Sequence, residues 1–398
     1  MRRLPPLLAA LALLLATATP AWAAPLRVAV LAPAGENAVA NPGRALEAGV
    51  LMQAAPLAQA QALLVYRGPG PGGLTETRRA IEAGLPVVIV GADPAAWTGA
   101  EDWLARLLGA THGPAFASGA PLRVINLFAH PIFTATERLE TDEPVPAWTR
   151  LAEDAQLIAE GITGEDTTPL AWVRTIGAAR VCHLVPSSPA LLAEPDYQRI
   201  LAQALLWVAR RPIPGAKPAV QRTFMPESHP GAFAITFPEG IGVCLDPVRG
   251  GVNFAWEGDF VDLRPRWLTK QGAPARIFGP VFYLEKAWQP LRAGSPGSGD
   301  VARFRGYALR EGIPEFHHEV GGRTVRETLR VLPDGGGFVR EFAVGTGNSP
   351  LWLTLEDQSG AVVAVEGASR DGANVGFTST SAGSFRVTVR RKPAGLAP

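Results

Sequence analysis

Cysteine is nearly absent: Cys182 and Cys244 are the only two in 398 residues. Without a CxxC or CxxCH, neither covalent haem attachment nor a cysteine-based zinc site has a sequence basis. An excess of one charge is missing too. The chain has 37 Lys and Arg against 36 Asp and Glu, with no polybasic stripe, so no nucleic-acid partner is expected. No serine lies in GxSxG and no histidine pair in HExxH, which removes the serine-hydrolase elbow and the helical zinc-protease motif. Beyond the first two dozen residues no apolar run reaches the roughly 18 residues of a membrane span.

What is present begins with Met1, Arg2 and Arg3, an apolar stretch from Leu4 to Leu15, and Ala21-Trp22-Ala23. A charged start, a short apolar run and small residues at alternate positions predict a signal peptide over residues 1–23. Export to the periplasm or beyond follows, with no membrane span left after removal. In that oxidising compartment Cys182 and Cys244 are either bridged or buried as two thiols. Glycine and proline, 43 and 37 in number, fall between periodic segments and read as turns.

The remainder suggests two domains joined by residues 212–218. In residues 24–211, apolar strands at 26–32, 61–67 and 86–91 alternate with helical stretches at 43–54, 75–83 and 100–108. Strands with no polar alternation are buried on both faces, so this pattern predicts a flavodoxin-like, doubly wound α/β domain. Further on, 154–161 reads as strand or short helix, 169–175 and 179–185 as an antiparallel pair turning at Gly177, and 195–209 as a closing helix. Residues 219–398 show many short strands with hairpin punctuation and predict an all-β, sandwich-like domain. Within it, Val325, Thr328 or Leu329, and Val331 are set against Arg326, Glu327 and Arg330, and Phe385, Val387 and Val389 against Arg386, Thr388 and Arg390.

Gly68, Gly70 and Gly73 match GxGxxG, with Asp93 twenty residues on. Pro69 and Pro71 remove the backbone donors a pyrophosphate needs, so the stretch reads as a Pro-Gly loop, and no cofactor or metal is expected. His183 reads as packed or edge-exposed within its strand, and adjacent His317 and His318 must point to opposite faces of a regular strand.

The order of several short motifs carries a resemblance. LLVYRG, PVVIVGAD, WLARLLGATH, His130-Pro131-Ile132, Thr141-Asp142-Glu143, PLAWVRTIGAARV and YQRILAQALLWVA follow one another across residues 26–211. In that sequence they resemble the trehalose-utilisation (ThuA-like) domain, a relative of the class I glutamine amidotransferase-like fold. The resemblance implies a sugar-related cleft above the strand ends, with His112, His130 and Glu143 as catalytic candidates and Asp93 and Asp142 as ligand-binding ones. Imidazole with carboxylate suits proton transfer near neutral pH. The turn that carries the amidotransferase nucleophile reads Gly91-Ala92-Asp93 here, and Val185-Pro186-Ser187-Ser188 stands where the family has Gly-His-Asp. No thiol chemistry is expected at Ala92.

From Ser228-His229-Pro230 to Tyr283, through GGVNFAWEGDFVDLRPRW at residues 250–267 and GAPARIFGPVFY after it, the chain resembles a β-module that accompanies secreted sugar-dehydrogenase-like and cytochrome-containing proteins. Its Trp256, Asp259 and Trp267 are candidates for sugar binding, since rings cover C–H faces and carboxylates take hydroxyls. The alternative is that the tryptophans are core and the acids brace Arg264 and Arg266. The expected partners are a carbohydrate ligand or an envelope protein. Three readings stay open: an accessory binding protein with a degenerate cleft, an active ThuA-like enzyme on a sugar derivative, and a structural envelope protein.

Overall fold

A computed structural model describes residues 24–33, 52–70, 72–115, 122–141, 146–163, 166–265, 272–356 and 358–392. The expected leader 1–23 lies outside the described residues, as do Asp142, Glu143, Arg266 and Trp267.

The strands in the first half are β1 (Leu26–Leu31), β2 (Met52–Ala54), β3 (Ala62–Tyr66), β4 (Val87–Val90), β5 (Thr111–Ala115), β6 (Leu122–Leu127), β7 (Leu139–Thr141), β8 (Pro146–Thr149), β9 (Gln156–Thr163), β10 (Asp166–Ile176) and β11 (Ala179–Leu184). Nine of them form one sheet in the order β2-β1-β3-β4-β11-β10-β9-β6-β7, while β5 and β8 pair separately. The sheet is mixed. Pairings from β2 to β11 are parallel, and those from β11 to β7 are antiparallel. β3 and β4 are buried at every position, as strands covered on both faces must be.

Four α-helices accompany this sheet: α1 (Leu74–Glu82), α2 (Glu101–Leu108), α3 (Pro189–Ala193) and α4 (Pro195–Val208). The flavodoxin-like, class I amidotransferase-like layering is therefore overturned. Such a fold needs a crossover helix between successive parallel strands, yet β9, β10 and β11 run from Gln156 to Leu184 as consecutive hairpins. Residues 52–54, expected in a helix, are strand, and 156–163 resolves to strand. Among the described residues twenty-nine strands stand against four α-helices, so the chain is β-rich throughout.

The second half departs from a two-sheet sandwich. An antiparallel five-stranded sheet (Ala219–Arg222, Phe233–Phe237, Ile241–Asp246, Gly251–Glu257, Val281–Leu284) is joined by a six-stranded sheet and a further five-stranded sheet. One apolar cluster draws on all three, through Ile235 and Val243, Phe316 and Leu329, and Leu353 and Val375. Phe385, Val387 and Val389 face inward as the alternation requires. Glu327 does not face outward with Arg326 and Arg330. In a period of two it shares its face with Val325 and Leu329, and all three are buried.

Candidate functional site

Three polar groupings lie inside this fold, and the first joins its two halves. After β6 the chain turns through Pro131–Phe133, and His130 caps that turn, its Nδ1 accepting the Ile132 N–H at 3.3 Å. With Nδ1 acting as acceptor, the neutral ring carries its proton on Nε2. Nε2 points toward Asp259 Oδ1 at 3.8 Å, beyond hydrogen-bond length, and has no partner of its own. Asp259 comes from the second half. The strand Gly251–Glu257 has just ended, and the chain carries Asp259 and Phe260 across to the first half, where Phe260 meets the rings of Phe128 and His130.

The last turn of α4 completes the group. Trp207 Nε1 donates to Asp259 Oδ2 at 2.6 Å, and the Arg180 guanidinium lies 4.3 Å over the Trp207 ring. Arg180 also donates to the Trp207 carbonyl at 3.0 Å. Burial drives the His130 pKa down to about 4, since Asp259, which favours the charged ring, offsets only part of the desolvation and Arg180 opposes it. His130 is thus neutral at physiological pH.

His130 and Asp259 line a cleft of about 270 Å³ together with Phe128, Phe133, Thr136, Lys217 and Thr236 among others. The buried Thr136 hydroxyl, like His130 Nε2, lacks a partner within the protein. Donor, acceptor and hydroxyl with apolar walls make a recognition surface for a small polar molecule. The cleft sits below the size of drug-binding sites, about 300–1,000 Å³, which suits a single small ring.

The second grouping lies under the Gly91-Ala92-Asp93 turn. Gly91 takes φ 58°, and a Cβ there would fall 2.1 Å from Ser187 Oγ, so this turn packs directly on the 185–188 segment. The Ala92 N–H donates to His183 Nε2 at 3.4 Å. His183 is wholly buried edge-on to Trp172 and Trp148, and desolvation holds its pKa at about 3. His112 is exposed and sits edge-on to the other side of this group, at Trp148. The contacts of His112 and His130 have no residue in common, so the structure does not assemble these two as one catalytic set. Asp93 caps the Pro94–Trp97 turn, accepting from the Ala95 N–H at 3.0 Å and pairing with Arg67 at 3.4 Å. The glycine-rich loop packs against the end of β1, where a Cβ on Gly70 would lie 2.9 Å from the Ala32 carbonyl oxygen.

The third grouping is inside the second half. Arg340 donates to Glu327 at 2.7 Å, His318 Nε2 lies 3.5 Å from the other Glu327 oxygen, and Tyr283 donates to Glu285 at 2.8 Å. All five residues are buried. His317 faces the opposite way, bonded to Glu315 at 2.8 Å. Burial works against the Glu327 carboxylate, but Arg340 and His318 outweigh it and hold the pKa at about 2.

Trp256 is fully buried in the strand that leads to Asp259 and offers no face to a ligand. Glu257 pairs with Arg391 at 2.6 Å and Asp262 with Arg264 at 2.6 Å, so these acids brace the structure. Of the eight sequence candidates, His130 and Asp259 meet at the junction. Sequence reasoning missed Trp207, Arg180 and Lys217, which sit in a closing helix, a strand and an expected linker where no local motif marks them. Among the described residues no three His, Cys, Asp or Glu side chains converge as a metal site. Cys182 and Cys244 are both buried and unbridged, and burial raises both thiol pKa values, that of Cys244 to about 12.

No protein-family model and no curated protein sequence matches the chain. Solved structures with a partial likeness include an exo-β-1,4-mannosidase from an Opitutaceae bacterium, at 15% identity and TM-score 0.33 over 47% of this chain and 36% of that one. The α-L-fucosidase isoenzyme 2 of Paenibacillus thiaminolyticus shows 11% identity and TM-score 0.33 over 92% of this chain and 48% of that one. PurLQS from Thermotoga maritima shows 15% identity and TM-score 0.29, over 46% and 99% respectively. The chain thus spans about a third of the mannosidase and about half of the fucosidase. TM-scores this low carry no inference about fold or activity.

Proposed function

We propose that the chain is an exported, carbohydrate-associated binding protein whose junction cleft holds one small polyhydroxylated ring. The carrying observation is the buried, unmated His130 Nε2–H, 3.8 Å from Asp259 Oδ1, at the floor of the cleft that both residues line. A hydroxyl both accepts and donates, so one that enters between the two, where the His130 side chain is now closed to solvent, would satisfy both at once. Phe128, Pro131, Phe133 and Pro238 supply apolar surface for C–H faces. The leader-like start at residues 1–23 supports the export part of the reading.

Binding is favoured over catalysis by the state of His130. Its one lone pair is engaged by the Ile132 N–H, so the ring offers a donor and no free base. Relocating the proton to Nδ1 would break that turn cap. The test is a titration of tryptophan fluorescence with a panel of neutral monosaccharides and polyols, Trp207 being the reporter beside Asp259. Asp259→Asn and His130→Phe are expected to weaken the binding at least tenfold while leaving the circular dichroism spectrum intact. Binding by neither wild type nor variants, or equal binding by all three, would sink the reading.

A further inference from the structure

The junction cleft has two chemically different ends. At its buried end are His130, Asp259 and Thr136; at its rim is Lys217, the only Lys or Arg among the described lining residues. Lys217 lies between α4 and the Ala219–Arg222 strand, and its ammonium is exposed. Its stem is nonetheless held. An ideal Cβ on Gly312 would fall 2.8 Å from Lys217 Cδ and 3.3 Å from its Cβ and Cγ. Gly312 has φ +86°, so only glycine tolerates both this backbone and this closeness. The turn between the strands Arg303–Arg310 and Ile313–Val320 therefore backs the aliphatic stem of a residue that also lines the cleft.

No carboxylate claims the Lys217 ammonium. Among the described residues Lys217 makes no ion pair, and Asp259 is already engaged by Trp207 Nε1–H, with Arg180 stacked on the same indole. The neutralising work at the buried end is done without Lys217. A cation placed at the rim, with hydroxyl-matching groups at the base and apolar walls between, is complementary to an anion that also carries hydroxyls. We infer, on the basis of the junction-cleft reading, that the ligand is a sugar acid, with hydroxyls at His130 and Asp259 and its carboxylate at Lys217.

An exposed ion pair is weak, so the carboxylate should improve affinity about two- to fivefold over the neutral sugar. Isothermal titration calorimetry on the full chain, with galacturonate and glucuronate against galactose and glucose, reads this preference. Expected is an advantage of about two- to fivefold for at least one acid over its neutral parent, shrinking at about 0.5 M salt. Lys217→Met, which keeps the stem, should bring the acid to the affinity of its parent, and Lys217→Arg should restore the advantage. Neutral and acidic sugars binding the wild type alike would overturn the sugar-acid inference and leave the cleft reading standing. So would a preference that survives Lys217→Met. If the wild type binds none of the four sugars, both fall together.

Discussion

Replacing Glu327 by Gln removes one charge from the buried grouping of the second half and leaves Arg340, already fully buried, without its 2.7 Å partner. Two routes give the size of the effect. Breaking a buried pair by removing one member costs about 3–5 kcal/mol. Independently, the fall of the Glu327 pKa from 4.5 to about 2 corresponds to roughly 3 kcal/mol of folding stability. Because the folded value is depressed, that contribution is present above the unfolded pKa near 4.5 and is lost as pH falls through about 2. The agreement sets the expectation at about 3 kcal/mol near neutral pH. Hydrogen exchange of the full chain, followed by mass spectrometry over residues 313–344, should show roughly hundredfold faster exchange in Glu327→Gln. Between pH 4.5 and 2 the variant should also lose less stability to urea than the wild type does. Exchange within about threefold of wild type at pH 7 would refute the reasoning, since it would mean Glu285 or Tyr283 takes over as partner at no cost.

His130 and His183 are both held neutral by burial, with pKa values of about 4 and about 3. Their folded values lie below the unfolded 6.5, so stability should decline as pH drops from 6.5 toward 4; urea midpoints across that range check this, and His130→Gln should flatten the slope. Cys182 and Cys244, buried and unbridged, should not react with a thiol reagent in the native protein and should give two equivalents in denaturant; zero in denaturant would reveal a bridge. The exported protein should begin at Ala24, and intact-mass measurement finding residues 1–23 still attached would contradict the leader.

The parallel strands β1, β3 and β4 were legible because apolar runs bounded by turn residues have few other uses. The hairpin of β10 and β11 was legible too, from Gly177 between two β-rich runs. The layering was not, because residue order alone does not say whether a strand is reached by a crossover or by a hairpin. β9 shows this: its pattern fits strand or helix, and its pairing with β10 and β6 decides the matter. At the site, His130 and Asp259 could each be picked out by chemistry, but 129 residues of chain separate them, and no local spacing announces their meeting. Glu327 was misplaced for a different reason. A charged residue on a strand usually faces water, and only the partner strand, bearing Arg340, makes its burial tolerable.

The meeting of residues 130 and 259 has a thermodynamic corollary. Neither half alone holds both the donor and the acceptor, so any occupant of the cleft recognises only the arrangement in which α4 and the segment around Phe260 are docked. By mass action, such an occupant at a hundred times its dissociation constant adds about 2.7 kcal/mol to that docked arrangement and nothing to a separated one. The ligand then acts as a reversible clamp, and its apparent affinity falls in proportion to the docked fraction wherever that fraction drops below one.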